Sequence, residues 1–311
     1  MYRFLLTRLV GLLFVLFGVT FLTFIMGFFA VGDPIRLMLG LHFNPVLYAQ
    51  LKHEYGLDLP WWQQYYNFLV NILHGTFGES FEYPGSTAWQ VMQYGLTTSI
   101  DLGLEVLITT LVIGIPTGII AALRSNTRTD TTVTSTMLIL YAIPDIALIV
   151  GFQTVMVWLY LHNLPALPVA GWDNWQEHIG PVLITATTGA GYITRLTKTS
   201  VLEVMGQDFI RTARSKGLRE YVVIGRHVMR YASLPVITSL GPSLAFLVTG
   251  IFITEYFFNI PGVASLTLSA ISQRDYPVIQ ATVVLTAISV VIFNALTDVA
   301  YVIVDPRIRL E

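Results

Sequence analysis

Polar positions along this chain are sparse and gather in short clusters between long apolar runs. A bilayer core about 30 Å thick takes roughly 20 residues of α-helix at 1.5 Å rise each. Six stretches approach that requirement: Leu9–Val31, Leu96–Leu123, Thr131–Leu161, Ile179–Thr194, Tyr231–Thr254 and Tyr276–Thr297. The second carries Asp101 and Glu105 near its start, the third runs through Asp145, and the fourth is the shortest. The pattern predicts an all-α polytopic membrane protein with about six transmembrane helices, and an even count puts both termini on one side.

The intervals between these runs divide the chain into a tail and first span (1–31), an external loop (32–95), and a core of five further spans (96–311) that includes a cytoplasmic loop at 195–230. The external loop holds Asp58-Leu59-Pro60-Trp61-Trp62, an aromatic stretch to Leu73, and the glycine-rich His74–Gly78. It predicts a small packed subdomain or interfacial helices, with tryptophans at headgroup level. A second external segment, Asn163–Gln176, is rich in Pro and Trp. Arg3 and Arg8 before Leu9–Val31 resemble the start of a signal peptide. The apolar run is longer than the roughly 7–15 residues of a signal h-region and lacks a clean small-residue cleavage site, so it reads as a retained helix.

Composition agrees with a membrane solvent: of 311 residues 54% are hydrophobic and 12% charged, with a mean hydropathy of +0.66. The net charge of −2 leaves too few bases to neutralise a nucleic-acid backbone over a broad face. Their distribution matters more. Of the 17 lysines and arginines, only Arg36, Lys52 and Arg274 fall outside if the N-terminus is cytoplasmic, the bias that retention of Lys and Arg on the inner side produces. Cysteine is absent, which excludes disulfides, thiolate metal sites and cysteine nucleophiles. His42, His53, His74, His162 and His178 show no metal-ligand spacing and read as solvated or interfacial. Neither a GxxxxGK[ST] phosphate loop nor a GxSxG elbow occurs.

The cytoplasmic loop is the most informative segment. Leu202, Met205, Phe209 and Ala213 recur at helical spacing opposite Glu203, Gln207, Arg211 and Arg214, predicting an amphipathic helix. Arg214 and Lys216 fall in its last turn, Gly217 suits a left-handed C-terminal cap, and a second short helix starts near Glu220. On periodicity alone this is either a basic helix lying against anionic headgroups or a docking element for a cytoplasmic protein.

Ionisable groups inside spans are costly and face protein or water. Asp101, Glu105, Asp145 and Asp298 are the candidates. Asp145, beside Pro144, either lines a solute pathway and meets a cationic group of the solute, or pairs with a neighbouring helix or a backbone N–H freed beside the proline. Pro116, Pro144, Pro235 and Pro242 are candidate kinks.

The run Gln207-Asp208-Phe209-Ile210-Arg211-Thr212-Ala213-Arg214-Ser215-Lys216-Gly217-Leu218, followed by Arg226-His227 and Leu234-Pro235-Val236-Ile237, closely resembles the cytoplasmic loop of the dipeptide/oligopeptide permease family of ATP-binding-cassette importers. Ordered matches extend over nearly the whole chain: Gly32-Asp33-Pro34, Tyr55-Gly56-Leu57-Asp58, Gly114-Ile115-Pro116-Thr117-Gly118, Glu255–Phe258, Pro261-Gly262, Arg274-Asp275-Tyr276-Pro277 and Asp305–Leu310. The resemblance implies a type I importer permease fold in a prokaryotic inner membrane. It implies a coupling loop built on Asp208, Arg211, Thr212, Ala213, Arg214, Lys216, Gly217, Leu218 and Arg219, with Arg211-Thr212-Ala213 at the place of the family's EAA triplet. It further implies a second homologous permease, two cytoplasmic ATP-binding subunits that use ATP and Mg, and an external solute-binding protein; no cofactor or catalytic residue is expected on this chain. The sequence departs from the general importer pattern at His227–Arg230, where an I-x-L-P element would stand, in the manner of the peptide branch. A self-sufficient channel or secondary transporter, and a membrane scaffold or receptor without transport, are the competing classes.

Overall fold

The computed structural model describes residues 2–29, 32–40 and 43–304. Asp305–Leu310, His42 and the side chains of Arg3, Arg8 and Asp298 lie outside the described residues.

Helix α1 (Tyr2–Phe29) is the first predicted span. Beyond it the external segment folds into α2 (Pro34–Leu39), α3 (Pro45–Glu54) and α4 (Trp61–Leu73). Asp33 and Asn44 cap α2 and α3 through their side chains with proline at the first helical position, the arrangement that satisfies orphan N–H groups and pre-sets φ. A loop closed by an antiparallel bridge between Glu79 and Thr87 leads to α5 (Ala88–Leu123). A Thr87–Gln90 capping box starts α5 at Ala88, upstream of the predicted Leu96, because the cap lies before the apolar run.

The third predicted span is not one helix. It divides into α6 (Arg128–Ala142) and α7 (Asp145–Leu161), bent by 94° at Ile143-Pro144. Proline cannot donate its backbone N–H and pushes its predecessor out of the helical region. Helix α8 (Trp175–Met205) extends the short fourth prediction in both directions to 31 residues, roughly 46 Å of helix. It leads to α9 (Asp208–Ser215), α10 (Glu220–Val222), a π-helical turn Val223–Val228 and α11 (Met229–Ala232).

The fifth prediction is also divided. Helix α12 (Leu234–Thr249) stops at Gly250, whose φ is +79°, and α13 (Phe252–Phe257) and α14 (Val263–Gln273) follow before the final helix α15 (Tyr276–Val304). By length and composition three described helices, α1, α5 and α15, qualify as membrane spans, or four if α6 and α7 form one. α8 and α12 occupy the remaining predicted positions; α8 is rich in Thr and Gly and carries Arg195 and Lys198, and α12 is 16 residues long.

Helices α5 and α8 form the central pair. A Cβ on Gly114 would lie 2.7 Å from Ile193 Cβ, and one on Gly118 would lie 2.6 Å from Thr197 Cβ and 2.7 Å from the Thr194 carbonyl oxygen. Small residues four apart let the two backbones touch, the usual route to helix association where lipid removes the hydrophobic drive. Thr117 and Thr194 share a hydroxyl hydrogen bond of 2.7 Å across this seam. Helix α6 joins α8 by the same means, with the Met137 carbonyl oxygen 2.5 Å from a Cβ on Gly191.

Candidate functional site: a basic elbow and the elements that hold it

The amphipathic helix expected across the basic loop is interrupted. The helix does not run through: α8 ends at Met205, Gly206 and Gln207 turn the chain, and α9 begins at Asp208. The apolar face therefore changes membership. Leu202 and Phe209 are exposed, at 37% and 43%, while Val201, Ile210 and Ala213 are buried with Ala122 of α5 and Val223, Val228 and Ala232. Periodicity carried across the break at Gly206 misplaced Leu202 and Phe209, while Met205 and Ala213, which it also selected, do pack into the cluster.

The buried cluster fixes the elbow to the ends of α5 and α8. It also shows how the second short element packs at the place where the sequence departs from the general pattern: Val223 and Val228, one at each end of the π-helical turn, both point inward. Gly217 caps α9 with φ +74°, as its position predicts. Across that cap Arg214 donates to Glu220, Nη2 to Oε1 at 2.6 Å and Nε to Oε2 at 3.3 Å. The paired guanidinium holds the Glu220 carboxyl below the usual carboxylate range. Such a two-pronged contact gives α9 and α10 a defined angle.

Outward from this frame project Asp208, Arg211, Thr212, Arg214, Lys216 and Arg219, interleaved with Phe209, Leu218 and Tyr221; Tyr221 is 68% exposed. Ala213, at the third place of the triplet, faces inward as an anchor. A rigid protrusion carrying aromatic and aliphatic side chains among cations has the chemistry of a protein interface, where aromatics and arginine are enriched.

On the other side of the molecule three motifs far apart in sequence converge. Asp33 caps α2 through Ile35 N at 3.0 Å and accepts from the Tyr48 hydroxyl at 2.5 Å. Gly32, with φ +125°, lies under the Arg274 guanidinium, and any Cβ there would overlap it. Asp275 is fully buried and accepts from the Ser80 hydroxyl and, at 3.1 Å, from Glu82 N. Tyr55 and Gly56 line the same cavity of about 430 Å³ as Gly32, Asp33 and Tyr276. The external segment is thus bolted to the α14–α15 corner.

Within the helical body, Asp145 begins α7, accepts from the Thr188 hydroxyl at 2.7 Å and lines a cavity of about 540 Å³. It thus has a polar neighbour on α8 and borders the cavity. Glu105 meets His178 at 3.0 Å, and the Trp172 ring stacks on that imidazole at 3.6 Å between centroids. His178 is therefore partly enclosed instead of solvated. Asp101 is exposed. No group of side chains suited to hold a metal ion occurs among the described residues.

Glu255 enters the sequence reading only as the first residue of the matched Glu255–Phe258 stretch; its role there is not read, because a lone glutamate at the end of an apolar run has no periodic signature. It is fully buried. Its Oε1 accepts from Ser99 Oγ at 2.8 Å and Ile251 N at 3.1 Å, and its Oε2 accepts from Ala264 N at 2.9 Å and Ser265 N at 3.1 Å. A carboxylate set at the start of α14 answers the orphan N–H groups and the positive end of that helix. Gly250 and Gly262 leave room for it: a Cβ on either would come within 2.3 Å of a carboxylate oxygen.

Helices bent and broken inside an apolar body, with a basic, partly exposed elbow fixed to the ends of two of them, are the architecture of a polytopic membrane subunit. Comparison with known proteins gives the family. Residues 114–310 match the model described as "Binding-protein-dependent transport system inner membrane component", and residues 1–110 match its N-terminal companion. The chain belongs to that family: it is a multi-pass inner-membrane permease of the peptide branch of ATP-binding-cassette importers. It is 33% identical to the dipeptide transport system permease protein DppB of Escherichia coli, over 99% of each chain. It is 34% identical to DppB of Bacillus subtilis, over 100% of this chain and 99% of that one, and 34% identical to the oligopeptide transport system permease protein AppB of the same organism, over 95% of each. In fold it resembles the MetNI methionine ABC transporter in its inward-facing conformations, with a TM-score of 0.51 at 18% identity, covering 70% of this chain and 97% of that one.

Proposed function

We propose that this permease forms half of a pathway for di- or oligopeptides, and that residues 206–230 are where an ATP-hydrolysing cytoplasmic subunit drives it. The observation that carries the reading is the build of the elbow: buried on one side against the ends of α5 and α8, clasped by Arg214 and Glu220, and exposed on the other through Phe209, Arg211, Leu218 and Tyr221. A partner gripping that surface pushes on α8 directly, so closure of the partner becomes displacement of the helical body without any catalytic group on this chain. The concentration of Lys and Arg in this loop supports a cytoplasmic elbow and cytoplasmic termini.

In this reading a second homologous permease completes the pore, two ATP-binding subunits supply Mg-dependent hydrolysis, and a solute-binding protein lands on the outer segment 32–95. Peptide as solute follows from the relatives' names and from identity near one third along the full chain.

Gly217 tests the coupling step. A Cβ there meets nothing within 4 Å, so only the backbone conformation is demanding. Gly217→Val places a β-branched residue in the left-handed region and should abolish ATP-driven uptake at unchanged membrane abundance; Gly217→Asn, which tolerates that region, should retain it. Normal uptake by the valine variant removes the elbow from the mechanism. Co-purification of a nucleotide-hydrolysing subunit with the tagged chain separates the importer from a self-sufficient channel.

A further inference from the structure

The cavity beside the α6–α7 break has a composition that selects among solutes. Its walls are apolar or small, with Val106, Leu107, Leu247 and Phe252 alongside Gly103 and Gly189. Hydroxyls of Thr110, Thr185 and Ser243 are spaced around it, and Asp145 is its one ionisable lining side chain among the described residues. At about 540 Å³ it falls within the roughly 300–1,000 Å³ of small-molecule sites.

The chain geometry fixes what Asp145 presents there. Pro144 ends the preceding helix, so Asp145 is the first residue of α7 and its carboxylate sits at that helix's N-terminal turn. Thr188 on α8 donates to one oxygen, Oδ1. A carboxylate accepts through both oxygens, and no ion pair to Asp145 occurs among the described residues. An anion in an apolar surround with acceptor capacity left over is completed by a cation that carries N–H donors.

We propose that Asp145 is a specificity-determining residue that receives the ammonium group of the transported solute, the free N-terminus of a short peptide being the member of that class this cavity admits. The inference rests on the permease reading above and adds to it a solute feature and a residue. Thr188 acts as a positioning residue, holding the carboxylate toward the cavity.

The test uses the complete complex in proteoliposomes, with ATP inside and solute-binding protein saturated by each solute, so that the binding protein's own selectivity drops out of the rate. Two probes are compared: a short peptide with a free amino terminus, and the same peptide with that amine replaced by hydroxyl. Asp145→Asn keeps the shape and an acceptor for Thr188 but removes the charge. It should slow amine uptake about tenfold, the scale of one hydrogen bond to a charged group, and leave uptake of the hydroxyl analogue unchanged. Thr188→Val should shift the same ratio in the same direction by a smaller factor. Equal slowing of both probes makes Asp145 a packing residue and overturns the proposal, as does unaltered uptake of both. Absence of ATP-driven uptake of either probe by the unmodified complex overturns the underlying transport reading instead, and that outcome is separately visible.

Discussion

Replacing Glu255 by glutamine changes no volume and removes one acceptor. The four donors around the carboxylate are all committed to it: Ser99 Oγ and Ile251 N on one oxygen, Ala264 N and Ser265 N on the other. Turned toward Ala264 and Ser265, the amide NH₂ faces two backbone donors; turned the other way it faces Ile251 N but can donate to the Ser99 hydroxyl oxygen, so one hydrogen bond to a charged acceptor is lost in the better orientation. That bond is worth about 1.5–3 kcal/mol, and no cavity term adds to the loss because the side chains are isosteric. At about 2 °C per kcal/mol for a chain of this size, Glu255→Gln should lower the unfolding midpoint of the detergent-solubilised protein by roughly 3–6 °C. Ser99→Ala should cost at least as much, since it removes one donor to Glu255 and the acceptor of Val263 N. A midpoint for Glu255→Gln within about 2 °C of the parent, less than one lost bond predicts on the same scale, would refute the argument: the site would then hold a neutral carboxyl or a different donor set.

The helix seam gives a paired expectation. Gly118→Ala forces a methyl against Thr197 and the Thr194 carbonyl of α8 and should destabilise by about 1–3 kcal/mol, whereas Gly151→Ala on α7, where a Cβ meets nothing within 4 Å, should be neutral or slightly stabilising; thermal midpoints of the two variants decide. In the external segment His53 and Asp58 pair at 2.8 Å; the Asp58 hydrogen bond holds the imidazole above its usual value, and the His53 hydrogen bond holds the carboxyl below its own. The pair is complete below the ordinary histidine range and above the ordinary carboxylate range, and is lost as pH rises through the raised His53 value. Hydrogen exchange of residues 54–60, corrected for intrinsic rates, should therefore show more protection near pH 6 than pH 8.5, and His53→Gln should flatten that dependence.

Much of this architecture was legible because burial in lipid writes itself as length. The runs at Leu9–Val31 and Tyr276–Thr297 became single helices, and Gly217 took the left-handed cap that its place after Arg214 and Lys216 foretold. What periodicity missed were the breaks. A window of apolar residues does not register that Pro144 ends one helix and begins another, or that Gly250 divides the fifth run, since both sides of each break remain apolar. The same blindness assigned Leu202 and Phe209 to the buried face of a helix that stops between them. Glu255 and Asp275 stood out only as members of matched motifs, and what they do was illegible for another reason. Their partners, Ser99 and Ser80, stand far away along the chain, and only the folded molecule brings each carboxylate to its donor.

The backbone-to-backbone contact of α5 with α8 has a mechanical consequence. Two helices brought this close by small residues, with only short side chains such as Thr117, Thr194 and Thr197 and the branched Ile193 at the seam, bend less than either alone, so in the proposed mechanism torque applied at the Met205 end of α8 would reach the opposite end with little dissipation. Yielding must then concentrate where the chain is already interrupted, at Ile143-Pro144 and at Gly250, which makes those two joints the places where the open and closed forms of the passage should differ most in dihedral angle.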